Sequence, residues 1–223
     1  MESMSDLHVR AEAIYRILDA RYPDSRPLLN FSSPFELLIA VILSAQTTDR
    51  QVNEVTGELF ARFPDAAALA GADIRELEGI VRSTGFYRQK AKNIRAAAQG
   101  LVERFEGEVP GSMAELTSLP GVGRKSANVV LGHVYGKPAV IVDTHFSRVC
   151  GRLGLSNATN PEGIEREIRA LIPADRQTRF SMIVNFHGRD ICFARRPNCE
   201  ECPLISHCPY GQSRGLADQS IRP

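Results

Sequence analysis

The chain carries almost no excess of either charge, no apolar run long enough to cross a bilayer, and no series of strands separated by turns. Lys and Arg number 27 against 26 Asp and Glu, a formal net charge of +1 over 223 residues. Total charge therefore announces no polyanionic partner, and any basic surface has to come from uneven placement. The longest apolar run, Leu37 to Leu43, falls far short of the ~20 residues of a membrane helix, so no membrane partner of that kind is expected. No repeat of solenoid period and no low-complexity tract is present, which excludes stacked-repeat folds. The opening Met-Glu-Ser-Met-Ser-Asp has neither a basic n-region nor an apolar h-region, and the expectation is a soluble intracellular protein. With 43% hydrophobic residues the chain can bury one substantial core or two modest ones.

What is present is more specific. Cys192, Cys199, Cys202 and Cys208 lie within seventeen residues at C-x6-C-x2-C-x5-C spacing. Thiolates this close in sequence can converge on one centre, and four sulfurs suit an iron–sulfur cluster or zinc. Structural zinc usually shows two tight C-x2-4-C knuckles, whereas only Cys199 and Cys202 make one here. Two disulfides would also fit the count, but they belong to small secreted domains. Cys150 sits among apolar residues at helical spacing, Phe146, Val149 and Leu153, and reads as a small buried hydrophobe.

Elsewhere the patterning is helical almost throughout. Helices are predicted over Leu7 to Tyr22, Thr48 to Phe63, Asp73 to Val81 and Arg88 to Phe105. Ser33-Pro34-Phe35-Glu36 is a capping box with proline at the first helical position, which opens a buried helix from Pro34 to about Ser44. Short helices from Met113 to Ser118 and Gly123 to Tyr135 flank a turn. Ala139 to Val142 is four apolar residues long and is expected as buried coil, leading into a helix from Asp143 to Leu153. Helices near Pro161 to Leu171 and Arg176 to Gly188 follow, and a polar tail after Tyr210 is expected to be disordered.

The turn itself is Leu119-Pro120-Gly121-Val122-Gly123-Arg124-Lys125. Two glycines two apart allow a sharp reversal and close approach of another molecule. The N–H groups that open the following helix lack internal partners and favour an anion such as phosphate. Alone, the segment could be a plain helix connector. With Arg124 and Lys125 directly after it, Gly121, Val122, Gly123 and Arg124 become candidates for holding a nucleic-acid backbone.

Residues 119 to 130, LPGVGRKSANVV, resemble the helix-hairpin-helix of the endonuclease III family of DNA base-excision glycosylases. FSSPFELLIAVILSAQTTD at 31 to 49, IVDTH at 141 to 145, HGRDIC at 187 to 192 and the four-cysteine spacing resemble the same family in the same order, from about residue 10 to 208. The resemblance implies an all-α fold in two lobes, a helical barrel near residues 27–137 with the hairpin and a cluster lobe of residues 1–26 and 138–223. It implies a [4Fe–4S] cluster on Cys192, Cys199, Cys202 and Cys208. It further implies a monomer, in the bacterial cytoplasm and nucleoid-associated when bound, acting on double-stranded DNA with damaged bases or abasic sites.

Releasing a base and then cutting the strand requires a primary amine that attacks the sugar C1′, giving a Schiff base that permits β-elimination of the 3′ phosphate. Lys125 is the candidate; its plainer role is a phosphate contact. A nucleophilic lysine needs a pKa below the ordinary value, which desolvation, nearby cations or the positive end of a helix supply. Asp143 matches the family's catalytic aspartate and would stabilise positive character on the sugar, and it also suits a helix N-cap. A flipped base leaves a hole in the duplex. Gln46 matches the family residue that fills it, with helix capping as the alternative. Phe86 occupies a second wedge position that often holds leucine, and could otherwise pack in the core. Arg195 and Arg196 could reach phosphates or form a solvated pair. The expected activity is a bifunctional glycosylase and abasic-site lyase on oxidised pyrimidines of the thymine glycol type. The rivals are a monofunctional adenine-removing relative, which uses no lysine nucleophile, and a non-catalytic iron–sulfur module that binds DNA.

Overall fold

The computed structural model describes residues 3–214. The chain divides into two compact units: Pro27–Lys137, and a discontinuous unit joining the segment through Arg26 to the residues from Pro138 onward. Among the described residues every regular element is helical, and the fold class is all-α. In chain order the first helices are α1 (Met4–Arg21), α2 (Pro34–Leu43), α3 (Asp49–Arg62), α4 (Ala66–Ala70), α5 (Ile74–Ile80) and α6 (Tyr87–Phe105). They are followed by α7 (Met113–Thr117), α8 (Arg124–His133), α9 (Thr144–Arg152), α10 (Pro161–Leu171), α11 (Gln177–Asp190) and α12 (Pro209–Gln212). No helix among the described residues is long and apolar enough to cross a membrane.

The Pro27–Lys137 unit is organised on α2. Ser33 Oγ accepts from the Glu36 N–H at 3.1 Å, and the Glu36 carboxylate reaches back to the Ser32 N–H at 2.6 Å, so the capping box closes one residue further out than its usual form. From Leu37 to Leu43 every side chain is buried. A helix apolar on all sides must lie inside, and α3, α6 and α8 pack against it. Each large aliphatic side chain so covered contributes roughly 1.5–3 kcal/mol. Helix α4 was not predicted. Five residues are too few to display a period, and Asp65 starts it by accepting from the Ala68 N–H at 2.8 Å.

In the other unit α1 begins at Met4 rather than Leu7, because Ser3 Oγ accepts from the Asp6 N–H at 3.1 Å. Arg179 of α11 ties the N-terminal segment to the later helices. It donates to Asp19 at 2.6 Å, to Ser25 Oγ at 2.7 Å and to the Tyr22 carbonyl at 2.7 Å. Phe146 and Phe180 meet edge to face, 6.0 Å between centroids, in a core shared by α1, α9, α10 and α11. Cys150 is fully buried there, and burial pushes its thiol well above the usual cysteine range, as its reading as a small hydrophobe requires. Ala139 to Val142 is buried coil, and the Ile141 N–H donates to Ser181 Oγ at 2.9 Å. Helix α12 carries the chain through Tyr210 to Gln212, where a disordered tail was expected, and the Arg152 guanidinium lies 4.6 Å from the Tyr210 ring; from residue 215 the expected tail lies outside the described residues.

Candidate active site

Helices α7 and α8 are joined by a turn in which the Val122 N–H donates to the Leu119 carbonyl at 3.1 Å and Gly121 takes φ +80°. A Cβ on Gly121 would stand 2.9 Å from Asn93 Cβ and 3.0 Å from Ile42 Cγ2, so a side chain there is excluded by both conformation and space. Around Gly123 the space is open. Leu119 and Val122 point inward and anchor the turn. With its side chain buried and its N–H spent on Leu119, Val122 shapes the turn rather than offering a donor. Gly123 is the N-cap of α8 and supplies no side-chain cap. Arg124 and Lys125 follow in the first turn, both exposed.

Three other exposed residues of the same unit have left-handed backbones: Gln46, Phe86 and Glu106, the last at the C-cap of α6. Gln46 has φ 53° and lies between α2, which ends on Ser44, and the Thr48 cap of α3, so it caps neither helix. Phe86 has φ 48°, heads α6 and is 70% exposed, which removes the core-packing alternative. Bulky residues seldom adopt this conformation without a local cause.

In the discontinuous unit Asp143 is the N-cap of α9. One carboxylate oxygen accepts from the Phe146 N–H at 2.7 Å and the other from the Asn185 side-chain amide. Arg189 in turn donates to Asn185 Oδ1 at 2.8 Å. The carboxylate is therefore oriented from two sides while half exposed. Asn185 and Arg189 were not singled out from sequence; their i, i+4 spacing on one face of α11 was the only local sign.

Cys192, Cys199, Cys202 and Cys208 line one pocket together with Val149, Leu153, Ile191 and Ile205. All five cysteines are free thiols, so the disulfide alternative is not realised. No three His, Cys, Asp or Glu side chains among the described residues close onto a single-ion site; the sulfurs surround a cavity instead. Residues 39–174 match the HhH-GPD superfamily of base excision DNA repair proteins, and residues 192–208 match the iron-sulfur binding domain of endonuclease III. Endonuclease III of Synechocystis sp. is 50% identical over 214 residues, 96% of this chain and 98% of the relative. The chain belongs to the endonuclease III family.

Endonuclease III of Escherichia coli (strain K12) is 40% identical, covering 90% of this chain and 95% of the relative. A structure of an endonuclease III trapped as a covalent intermediate with DNA, an estranged-adenine complex, superposes with TM-score 0.89 at 38% identity, covering 96% of this chain and all of that one. The activity class of the family is that of a base-excision DNA glycosylase and AP lyase. Its cofactor is a [4Fe–4S] cluster, and the donor set here fits one. Burial raises the Cys202 thiol to about 11, with the neighbouring sulfurs adding to the effect. Burial raises the Cys208 thiol as well, and a thiol so placed carries thiolate charge only when a metal centre compensates it.

The segment after Cys192 is braced in a way the sequence did not reveal. Arg148 donates to the Cys192 carbonyl at 3.0 Å, and Arg152 donates to Cys192 Sγ at 3.2 Å and to the Phe193 and Ala194 carbonyls at 2.7 and 3.0 Å. These arginines leave Arg195 and Arg196 exposed on the loop, the latter with φ 53°. His187 is buried with Nε2 3.6 Å from Cys202 Sγ, and burial lowers its pKa to about 4, which keeps the ring neutral.

Proposed function

We propose that this enzyme excises oxidised pyrimidines of the thymine glycol type from duplex DNA and then cuts the strand by β-elimination through a lysine Schiff base. The observation that carries the reading is Lys125, exposed in the first turn of an uncapped helix, directly after a glycine turn and beside Arg124. The covalent DNA intermediate trapped with a 38% identical endonuclease III supports the same route.

In its neutral form Lys125 Nζ attacks C1′ of the damaged nucleotide. The N-glycosidic bond breaks and its electron pair leaves with the base. Opening of the sugar ring gives the imine, loss of a C2′ proton expels the 3′ phosphate, and water then hydrolyses the imine to free the lysine. Asp143 stabilises the positive charge that develops on the sugar, its carboxylate held for that task by Phe146 and Asn185. The backbone at Gly121 and Gly123, shaped by Val122, and the Arg124 side chain hold phosphate. Gln46 and Phe86 fill the space left by the flipped base. Cys192, Cys199, Cys202 and Cys208 hold the cluster, which orders the loop that presents Arg195 and Arg196 to phosphates and takes no part in the base chemistry. The enzyme works as a monomer in the bacterial cytoplasm, on the nucleoid.

Borohydride trapping on a thymine glycol duplex tests this, comparing the intact protein with Lys125→Ala. An adduct that requires Lys125 is the expected result. An adduct on an abasic duplex but not on thymine glycol would keep the lyase and overturn the base preference. No adduct on either DNA, from cluster-loaded protein, would overturn the lysine route.

A further inference from the structure

Gln46 and Phe86, both left-handed, belong to segments that meet over a single buried ammonium. Lys90 of α6 is 4% exposed. Its Nζ donates to Thr47 Oγ1, next to Gln46, and to the Thr84 carbonyl at 2.8 Å, two residues before Phe86. Thr47 Oγ1 also donates to the Thr84 carbonyl, which closes a triangle of hydrogen bonds. Thr84 is itself buried and is fixed by its hydroxyl on the Val81 carbonyl at 2.8 Å, while Gln51 of α3 holds Ser83 at 2.9 Å.

An ammonium held by neutral oxygens is costly to bury, and a tie that served stability alone would be met by an uncharged group. Lysine brings three donors on one atom, so it can gather a hydroxyl and a carbonyl from two chain segments at once. We propose that Lys90, with Thr47 as its bridge, is a positioning residue that locks the Gln46 and Phe86 segments at a fixed separation, so that both side chains enter an opened duplex as one device. The proposal rests on the reading of Gln46 and Phe86 as the residues that fill the space of the flipped base.

The test uses cluster-loaded full-length protein carrying Thr47→Val, Thr47→Ser or Lys90→Met. Lyase rates are measured on an abasic site in duplex and in single-stranded DNA, and 2-aminopurine fluorescence opposite the site reports unstacking of the partner base. Thr47→Val and Lys90→Met are expected to lower the duplex to single-strand ratio by roughly five- to tenfold, the range that loss of one shared hydrogen bond spans. Thr47→Ser, which keeps the hydroxyl, restores the ratio. In a background of Gln46→Ala with Phe86→Ala, the Thr47→Val change has no further effect. Should that double background leave the ratio untouched, the reading beneath the proposal falls, and the proposal with it. Should it lower the ratio while Thr47→Val and Lys90→Met do not, or should their effects simply add to it, the lock is refuted and the wedge reading stands. Thr47→Val leaves no charge without a partner, so it decides the matter even if Lys90→Met fails to fold.

Discussion

Asp143 is a helix cap in the structure and a charged partner in the proposed mechanism, and one substitution can separate the two. As a cap it needs an oxygen that accepts from the Phe146 N–H; as a partner of the reacting sugar it needs negative charge. Asp143→Asn keeps an acceptor and discards the charge. The Asn185 amide then faces a second amide and gives up a hydrogen bond, at about 1 kcal/mol. Melting temperature should fall by roughly 2–4 °C, whereas single-turnover adduct formation should fall by roughly a hundredfold or more. Equal, small losses in both would reduce Asp143 to a cap. Lys90→Met isolates function from stability in the same way. Thr84 keeps an acceptor bond from Thr47 and a buried charge disappears, so thermal unfolding should change little while duplex activity drops.

At the scale of the element, the hairpin carries two glycines with different reasons to exist. Gly121→Ala forces a side chain to φ +80° and into Asn93 and Ile42, and should destabilise the protein by about 1–3 kcal/mol in a denaturant titration. Gly123→Ala meets open space at φ −90° and should cost about 0.5–1 kcal/mol, the difference between Gly and Ala at an N-cap. Its new methyl stands where a phosphate would approach the helix start. Duplex affinity should therefore fall while the fold survives a modest loss of stability, which fluorescence anisotropy on an abasic duplex would measure. If Gly123→Ala bound duplex like the parent protein, the hairpin would not be a backbone contact.

Across the whole molecule, the discontinuous unit depends on side-chain joints between its helices and loops. Glu167 of α10 accepts from Ser156 Oγ at 2.7 Å and from the Asn157 and Ala158 N–H groups, and the Ser156 bond leads in drawing its pKa below the ordinary 4.5. A depressed carboxylate stabilises above its unfolded value and loses that contribution as pH falls through its folded one. Glu167→Gln should cost about 0.5–1 kcal/mol near neutrality, since the site is partly solvated. The gap to the parent protein should close as thermal melts are taken below pH 4.5. A gap that persisted in acid would place the stabilisation elsewhere. Cluster loss acts on the same unit. Cys202→Ser should abolish visible cluster absorbance and raise amide exchange from Cys192 to Cys208, while exchange within Pro27–Lys137 holds.

Local physics wrote much of this protein into its sequence. Ser33 with Glu36, the wholly apolar α2, the two glycines before Arg124 and the clustered cysteines act over one or two turns of chain, where spacing alone specifies geometry. The short α4 and the true start of α1 escaped because one capping side chain, not a period, creates each. The Lys90–Thr47 bond spans 43 residues, the Asn185–Asp143 bond 42, and Arg152 reaches the Cys192 segment across 40. In the sequence Lys90 is one cation among Arg88, Lys92 and Arg95, and nothing local marks it as buried. Long side chains find their acceptors only after helices have packed, because burial decides which polar groups must be satisfied by each other rather than by water. The candidate site residues were thus put forward by the one-dimensional pattern, and the side chains that hold them in position were chosen by the tertiary structure.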